Sequence, residues 1–263
     1  VVTGAGSGIG RAFAVELGRR GGQVVCADID LLRAQETAAQ IGPRALAVAC
    51  DVAVYDDVVA LAKAAEEFLH GPVDLLINNA GVGSGGKDVG ELPIEDWQWV
   101  LGVNLFGVVH GCHVFTPGLR TAGTAGIINV ASAAAFGALP QMSAYNVSKA
   151  GVLALSETLA AELSGTDVAV TALCPTFVKT NVVRDGRIES QAVELAEKLM
   201  RWTGMTAEAV AVRTLDAHDK GHLYVVPQRH AQMLWRAKRY LPGPYTKALG
   251  LGFRAATAIA KKI

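Results

Sequence analysis

Short runs of almost wholly apolar residues recur along this chain, each followed by a stretch whose apolar positions repeat every three to four residues. VDLLIN at 73–78, GIINVAS at 126–132 and VAVTALC at 168–174 are the clearest. A strand with one wet face alternates apolar and polar residues, whereas a run apolar throughout belongs to a strand covered on both faces. Strand patterns at 1–3, 23–28, 45–50, 73–78, 126–132, 168–174 and 222–226 alternate with helical patterns at 9–20, 30–40, 56–69, 94–113, 144–163, 188–203 and 207–218. This alternation predicts an α/β fold: a doubly wound parallel sheet of about seven strands with helices on both faces.

Composition agrees and removes several function classes. Apolar residues make up 51% of the 263, too many for a disordered chain. Lys plus Arg and Asp plus Glu are both 24, so no uniform positive field is available to hold nucleic acid. Cys26, Cys50, Cys112 and Cys174 lie far apart with no CxxC pair. That spacing argues against a metal centre or a disulfide scaffold and suits a reducing compartment. No uninterrupted run of 18 apolar residues is present. The expectation is a cytoplasmic protein with no spanning helix and no secretory leader.

Chemistry enters at the turn after the first strand, Thr3-Gly4-Ala5-Gly6-Ser7-Gly8-Ile9-Gly10. Glycines let a backbone approach a phosphate closely. The helix that follows offers free N–H groups and a partial positive charge to a pyrophosphate. Asp28 ends the second strand, 20 residues after Gly8, where a carboxylate accepts hydrogen bonds from a ribose. A plain tight turn competes with this reading, and the spacing of Asp28 weighs against it. Tyr145 and Lys149 lie four apart in a helical pattern, on one face and about 6 Å apart along the axis. A phenol has a pKa near ~10, and a nearby ammonium favours its ionised form. Ser132 ends the fifth strand, at the sheet edge where such folds bind ligands.

On these residues the chain resembles the short-chain dehydrogenase/reductases over 1–227, a Rossmann-type fold. Thr3, Gly4, Gly8 and Gly10 match that family's TGxxxGxG turn, and Asn78-Asn79-Ala80-Gly81 matches its NNAG segment. Asp51-Val52 matches the pair beside the adenine. Asn104, Ser132, Tyr145 and Lys149 match the catalytic tetrad in order. Pro175-Thr176-Phe177-Val178-Lys179-Thr180 matches the PGxVxT loop at the nicotinamide, with Thr176 where the family has Gly.

The resemblance implies NAD-dependent interconversion of an alcohol and a ketone. Tyr145 exchanges the substrate's proton, and Lys149 lowers the Tyr145 pKa and bonds the nicotinamide ribose. Ser132 orients the substrate oxygen, while Asn104 holds a relay water. The implied NAD contacts are Gly4, Ser7, Gly8, Ile9, Gly10, Asp28, Ile29, Asp51, Val52, Asn78, Ala80, Gly81, Tyr145, Lys149, Pro175, Val178 and Thr180. NAD is favoured over NADP because Asp28 would repel a 2′-phosphate and the flanking Ser7 and Ile29 are neutral. An NADPH-dependent carbonyl reductase and a non-catalytic NAD-binding module on the same fold are the alternatives.

Ala133, Ala134, Phe136, Leu139, Met142 and Phe177 are expected beside Ser132 and Tyr145. Residues 181–206, including Val182, Val183, Leu195, Leu199, Met200 and Trp202, correspond to the family's substrate loop and lid. The lining is apolar and lacks a cationic clamp, which predicts a lipophilic secondary alcohol or ketone. Val108, Val109, Phe115, Leu153, Leu155 and Leu159 are expected on outer helix faces, pairing copies into a homodimer or homotetramer. The tail, 228–263, reads as two helices at 231–241 and 246–263 separated by Pro242-Gly243-Pro244. From Lys220 onward there are nine basic residues and no acidic ones, against 15 basic and 24 acidic before it. Packing on its own domain or on a partner subunit is the first expectation for such a tail. Peripheral contact with a membrane surface is the second.

Overall fold

The computed structural model describes residues 1–178, 186–189 and 204–260, with side chains through residue 255. Its strands are β1 (Val2–Thr3), β2 (Val24–Asp28), β3 (Ala45–Ala49), β4 (Leu75–Asn78), β5 (Ser84–Gly85), β6 (Ala125–Val130), β7 (Val168–Leu173), β8 (Arg187–Ile188) and β9 (Tyr224–Val225). Seven form one parallel sheet in the order β3-β2-β1-β4-β6-β7-β9. The α-helices are α1 (Gly8–Arg19), α2 (Leu31–Ile41), α3 (Tyr55–Leu69), α4 (Ile94–Leu101), α5 (Gly107–Leu119), α6 (Ala134–Gly137), α7 (Ser143–Glu162), α8 (Ala207–His218), α9 (Arg229–Tyr240) and α10 (Pro242–Ala260).

The two-residue period of the strands divides the apolar runs between two cores. Leu76 of β4 and Ile127 of β6 point to the layer of α3, α5 and α7, joining Leu61, Phe115 and Val152. Their neighbours Ile77 and Ile128 point the other way, to Phe13 of α1 and Val210 and Leu215 of α8. Each such side chain contributes roughly 1.5–3 kcal/mol when fully buried, which is why the central strands tolerate polar residues only where these are paired.

Several expectations change here. The helix expected over 94–113 runs on to Leu119, and its middle, Gly102–Phe106, is a π-helical turn. By length and composition Ile94–Leu119 could cross a membrane, but Val108, Cys112, Phe115 and Leu119 are spent on the domain core. Val108, Phe115 and Leu159, expected on outer faces, are therefore interior residues. Their helices were apolar on more than one side, so periodicity alone could not orient them. Ile188, expected to start a helix, pairs instead with Gly85 in the small β5–β8 sheet. Pro242-Gly243-Pro244 opens α10 rather than forming a separate linker, since Pro fits the first helical turn.

Candidate active site

Strand order reverses at β1, whose neighbours are β2 and β4. Doubly wound sheets open a crevice beyond the carboxyl ends of their strands at such a point. The turn after β1 lies there and is tied to the end of β4 by four hydrogen bonds. The Asn79 and Ala80 N–H groups donate to Thr3 Oγ1 at 3.0 and 3.1 Å. Asn79 Nδ2 donates to the carbonyls of Thr3 and Gly4 at 2.9 and 3.2 Å. Gly4 has φ +63°, and a Cβ there would sit 2.8 Å from Ala80 Cα. A Cβ on Gly10 would run into the Gly4 carbonyl oxygen and the Asn79 amide. Ser7 precedes α1 in extended conformation and makes no side-chain capping bond, and the amides of Gly8, Ile9 and Gly10 have no side-chain acceptor among the described residues. No side chain fits at positions 4 and 10 of this turn, and its donor set suits a pyrophosphate.

The neighbouring strand end, at β2, is acidic. Asp28 Oδ2 accepts from the Gly6 N–H at 2.8 Å and Oδ1 from the Asp30 N–H at 3.0 Å. The carboxylate is thereby fixed beside the turn, with exposed Ile29 next to it. Asp51 Oδ1 accepts from the Ala53 N–H at 2.9 Å. Val52 packs inward, against Gly107, and its carbonyl accepts from His110 Nδ1 at 2.9 Å. Asn78 is buried in a polar ladder, Nδ2 donating to Asn129 Oδ1 at 2.9 Å, and Asn129 Nδ2 donating to Ser156 Oγ at 3.1 Å. Its side chain thus holds β4, β6 and α7 together beneath the crevice.

The four polar residues expected to do chemistry stand around the ends of β4, β6 and α7. Lys149 is buried and donates from Nζ to the Val130 carbonyl at 2.8 Å, 5.9 Å from the Tyr145 ring centroid. A Cβ on Gly81 would lie 3.1 Å from Asn104 Oδ1 and 3.4 Å from Lys149 Nζ, so Gly81 keeps Asn104 and Lys149 on one small space. Asn104 sits in the π-helical turn and is fully buried. Its Oδ1 accepts from the Val82 N–H at 2.7 Å, and its Nδ2 donates to the Val82 carbonyl at 2.9 Å and to Ser148 Oγ at 3.3 Å. π-turns inside α-helices recur at functional sites; this one carries the residue that joins the β4 loop to α7. Ser132 Oγ accepts from the Ala134 N–H at 3.1 Å and donates to the Pro175 carbonyl at 3.4 Å.

Burial sets the charges. It pulls the Lys149 ammonium down to about 8. It also pushes the Tyr145 phenol above its usual value, while a hydrogen bond with Ser132 works the other way. In this structure the Ser132 hydroxyl, rather than Lys149, is the group that opposes the upward push on Tyr145.

Among the expected substrate contacts, Ala133 and Ala134 are buried beside Ser132, and Met142 lies against Gly85. Phe136 is buried and stacks on Trp235 of α9, ring centroids 5.6 Å apart. Pro175 and Val178 are buried, Val178 bridging to Met205, and Phe177 is half-buried. Thr180 and residues 181–185 and 190–203 of the expected lid lie outside the described residues. Two residues that sequence reasoning did not assign also serve the site. Asn79 clamps the glycine turn, and its place in the matched segment was the available signal. Gln228 bonds the 176–177 backbone, and no local pattern marks it.

Comparison with known proteins bears on the fold and the family. The chain is 42% identical over 186 residues to the probable oxidoreductase EphD of Mycobacterium tuberculosis, covering 69% of this chain and 31% of that one. It therefore spans about a third of that relative's length. It is 36% identical over 188 residues to the 2-(R)-hydroxypropyl-CoM dehydrogenase of Xanthobacter autotrophicus, covering 68% of this chain and 74% of the relative. A short-chain dehydrogenase/reductase from Burkholderia phymatum, solved in complex with NAD, superposes with a TM-score of 0.86 at 35% identity, covering 91% of this chain and 92% of that one. Residues 1–191 match the short chain dehydrogenase family, and the chain belongs to it.

Proposed function

We propose that the protein is an NAD(H)-dependent oxidoreductase that interconverts a lipophilic secondary alcohol and its ketone. The observation that carries this reading is the gathering of Ser132, Tyr145, Lys149 and Asn104 beside a turn with no room for a side chain at Gly4 or Gly10. Bound at the cradle, the coenzyme would supply or accept hydride at its nicotinamide. Gly8, Ile9 and Gly10 would hold its pyrophosphate and Asp28 its adenosine ribose. Tyr145 gives or takes the proton on the substrate oxygen, and Ser132 orients that oxygen. Lys149, with its Nζ 5.9 Å from the Tyr145 ring centroid, would bond the nicotinamide ribose. Asn104 fixes the Val82 backbone and Ser148 and so holds the wall through which a proton leaves. General acid–base assistance of this kind is worth ~10²–10⁴ in rate.

NAD rather than NADP is supported by the fixed Asp28 carboxylate, which would repel a 2′-phosphate. A lipophilic substrate is supported by Ala133, Ala134, Met142 and the partly exposed Leu139. NADH formation across an alcohol library tests both. Turnover of bulky apolar secondary alcohols with NAD is expected. Preference for small polar hydroxy acids, or for NADP, would overturn the corresponding part.

A homodimer or homotetramer is part of the same reading, built on Val109, Leu153 and Leu155 with exposed Phe106 and Val147. Light scattering near the monomer mass of 27.4 kDa would count against it. The tail also supports peripheral contact with an anionic membrane: Met233, Tyr240 and Leu241 are exposed beside Arg236 and Arg239. Co-sedimentation with anionic vesicles, lost at high salt, is the expected result, and absence of binding at low salt would overturn it.

A further inference from the structure

The chemistry just described uses nothing beyond β9, yet the residues that follow that strand are committed to one loop of the site. Gln228 is buried immediately before α9. Its Oε1 accepts from the Thr176 N–H at 3.1 Å, and its Nε2 donates to the Phe177 carbonyl at 3.4 Å. One side-chain amide therefore satisfies two backbone groups of the loop that follows β7. The Gln228 carbonyl in turn accepts from the N–H groups of Ala231 and Gln232 at 3.1 and 3.3 Å, so the first turn of α9 holds the glutamine in place. Two residues further on, His230 Nε2 and Thr176 Oγ1 share a hydrogen bond of 3.0 Å. A glycine at 176 would have no hydroxyl to offer.

The same loop is held from its other side. The Pro175 carbonyl accepts from the Ala133 N–H at 2.8 Å and from Ser132 Oγ at 3.4 Å. Residues 175, 176 and 177 are thus bonded in turn to the Ser132 segment and to the start of the tail. The tail is itself anchored near Ser132. Ala231 is fully buried, Trp235 stacks on Phe136 of α6, and the Tyr245 hydroxyl of α10 donates to the Gly137 carbonyl at 2.9 Å. It touches both segments, 132–137 and 175–177, between which the reacting groups must lie.

We infer that Gln228 and His230 are positioning residues: the tail braces the 175–177 loop in the conformation that receives the nicotinamide end of the coenzyme. This rests on the oxidoreductase reading for what the loop receives. Without the brace, the Thr176 N–H and Phe177 carbonyl lose their partners, and binding must first reorder the loop. The loss falls on the nicotinamide end alone, because the pyrophosphate and adenosine sites are built from β1, β2 and β4.

The test uses the full chain and two ligands. NADH is titrated by its fluorescence, and ADP-ribose, which lacks the nicotinamide, is titrated by displacement. Gln228→Ala should weaken NADH about ten-fold, near the low end for orphaned buried partners. His230→Ala, at an exposed position that folding does not depend on, should weaken it about three-fold. ADP-ribose should bind both variants within about two-fold of wild type. The kcat should fall with KM for the alcohol little changed, and His230→Ala should have no further effect in a Thr176→Gly background. Wild-type NADH affinity and turnover in both variants would overturn the brace. So would an equal loss of NADH and ADP-ribose, which marks general loosening. A wild-type chain that binds neither ligand would overturn the coenzyme reading itself, and the brace with it.

Discussion

Replacing Lys149 by Met should leave the protein inactive but more stable at neutral pH. The ammonium is buried, and burial brings it from 10.5 to about 8. At ~1.36 kcal/mol per pH unit that difference corresponds to about 3 kcal/mol. The folded chain bears it at any pH below about 8, where the residue is charged in both states. Between about 8 and 10.5 the folded chain has released the proton and the unfolded chain still holds it. Wild-type stability therefore rises through that window, and the penalty is gone above it. Met keeps most of the apolar stem but forfeits the 2.8 Å bond from Nζ to the Val130 carbonyl, a loss of about 1 kcal/mol. The net gain at pH 7 is about 2 kcal/mol, or roughly 5 °C in Tm for a chain of this size. Urea unfolding of wild type and Lys149→Met at pH 7 and pH 10 measures it. A variant less stable than wild type at pH 7, or a gain as large at pH 10 as at pH 7, would refute the reasoning.

Three further outcomes follow from the same contacts. Ser132→Ala removes the hydrogen bond that opposes the upward push of burial on Tyr145, so kcat/KM for alcohol oxidation should fall and its rising limb move to higher pH; an unmoved limb would contradict this. Gly10→Ala drives a methyl group into the Gly4 carbonyl and Asn79 amide; it should lower stability by about 1–3 kcal/mol and weaken NADH binding, measured by thermal melts and fluorescence titration. Asn104→Ala leaves the Val82 N–H and carbonyl without their partner and should lower stability by about 2–3 kcal/mol, with a fall in kcat; a neutral effect in denaturant melts would show that water replaces the amide.

The parts of this molecule that were legible in its sequence are those governed by local pattern. Strands buried on both faces announce themselves as apolar runs, so the β4, β6 and β7 patterns lay within a few residues of the observed strands. The glycine turn was legible because Gly10 has no substitute that fits, and Tyr145 and Lys149 because four residues make one helical turn. Other features depend on tertiary context. A π-turn at Gly102–Phe106 has no compositional signal of its own in a run apolar on more than one side, so the run reads as one α-helix. The inward placement of Val108, Phe115 and Leu159 depends on which apolar side of each helix meets the sheet. Spacing along the helix puts Tyr145 and Lys149 on one face, but the bond from the ammonium to the Val130 carbonyl crosses from α7 to β6 and has no local signal. The contacts of Phe136 with Trp235 and of Gln228 with Thr176 join residues 99 and 52 positions apart, beyond the reach of any local rule.

The central claim is that Tyr145 moves the proton in a hydride transfer between an alcohol and the coenzyme. Tyr145→Phe keeps the ring, its place on α7 and the cradle after β1, and removes only the hydroxyl. The decisive measurement is NADH formation from a lipophilic secondary alcohol by wild type and by this variant, with NADH affinity titrated on both. The account predicts steady turnover by wild type, and a loss of at least about 10²-fold in the variant at unchanged NADH affinity. A Tyr145→Phe variant as active as wild type would contradict it.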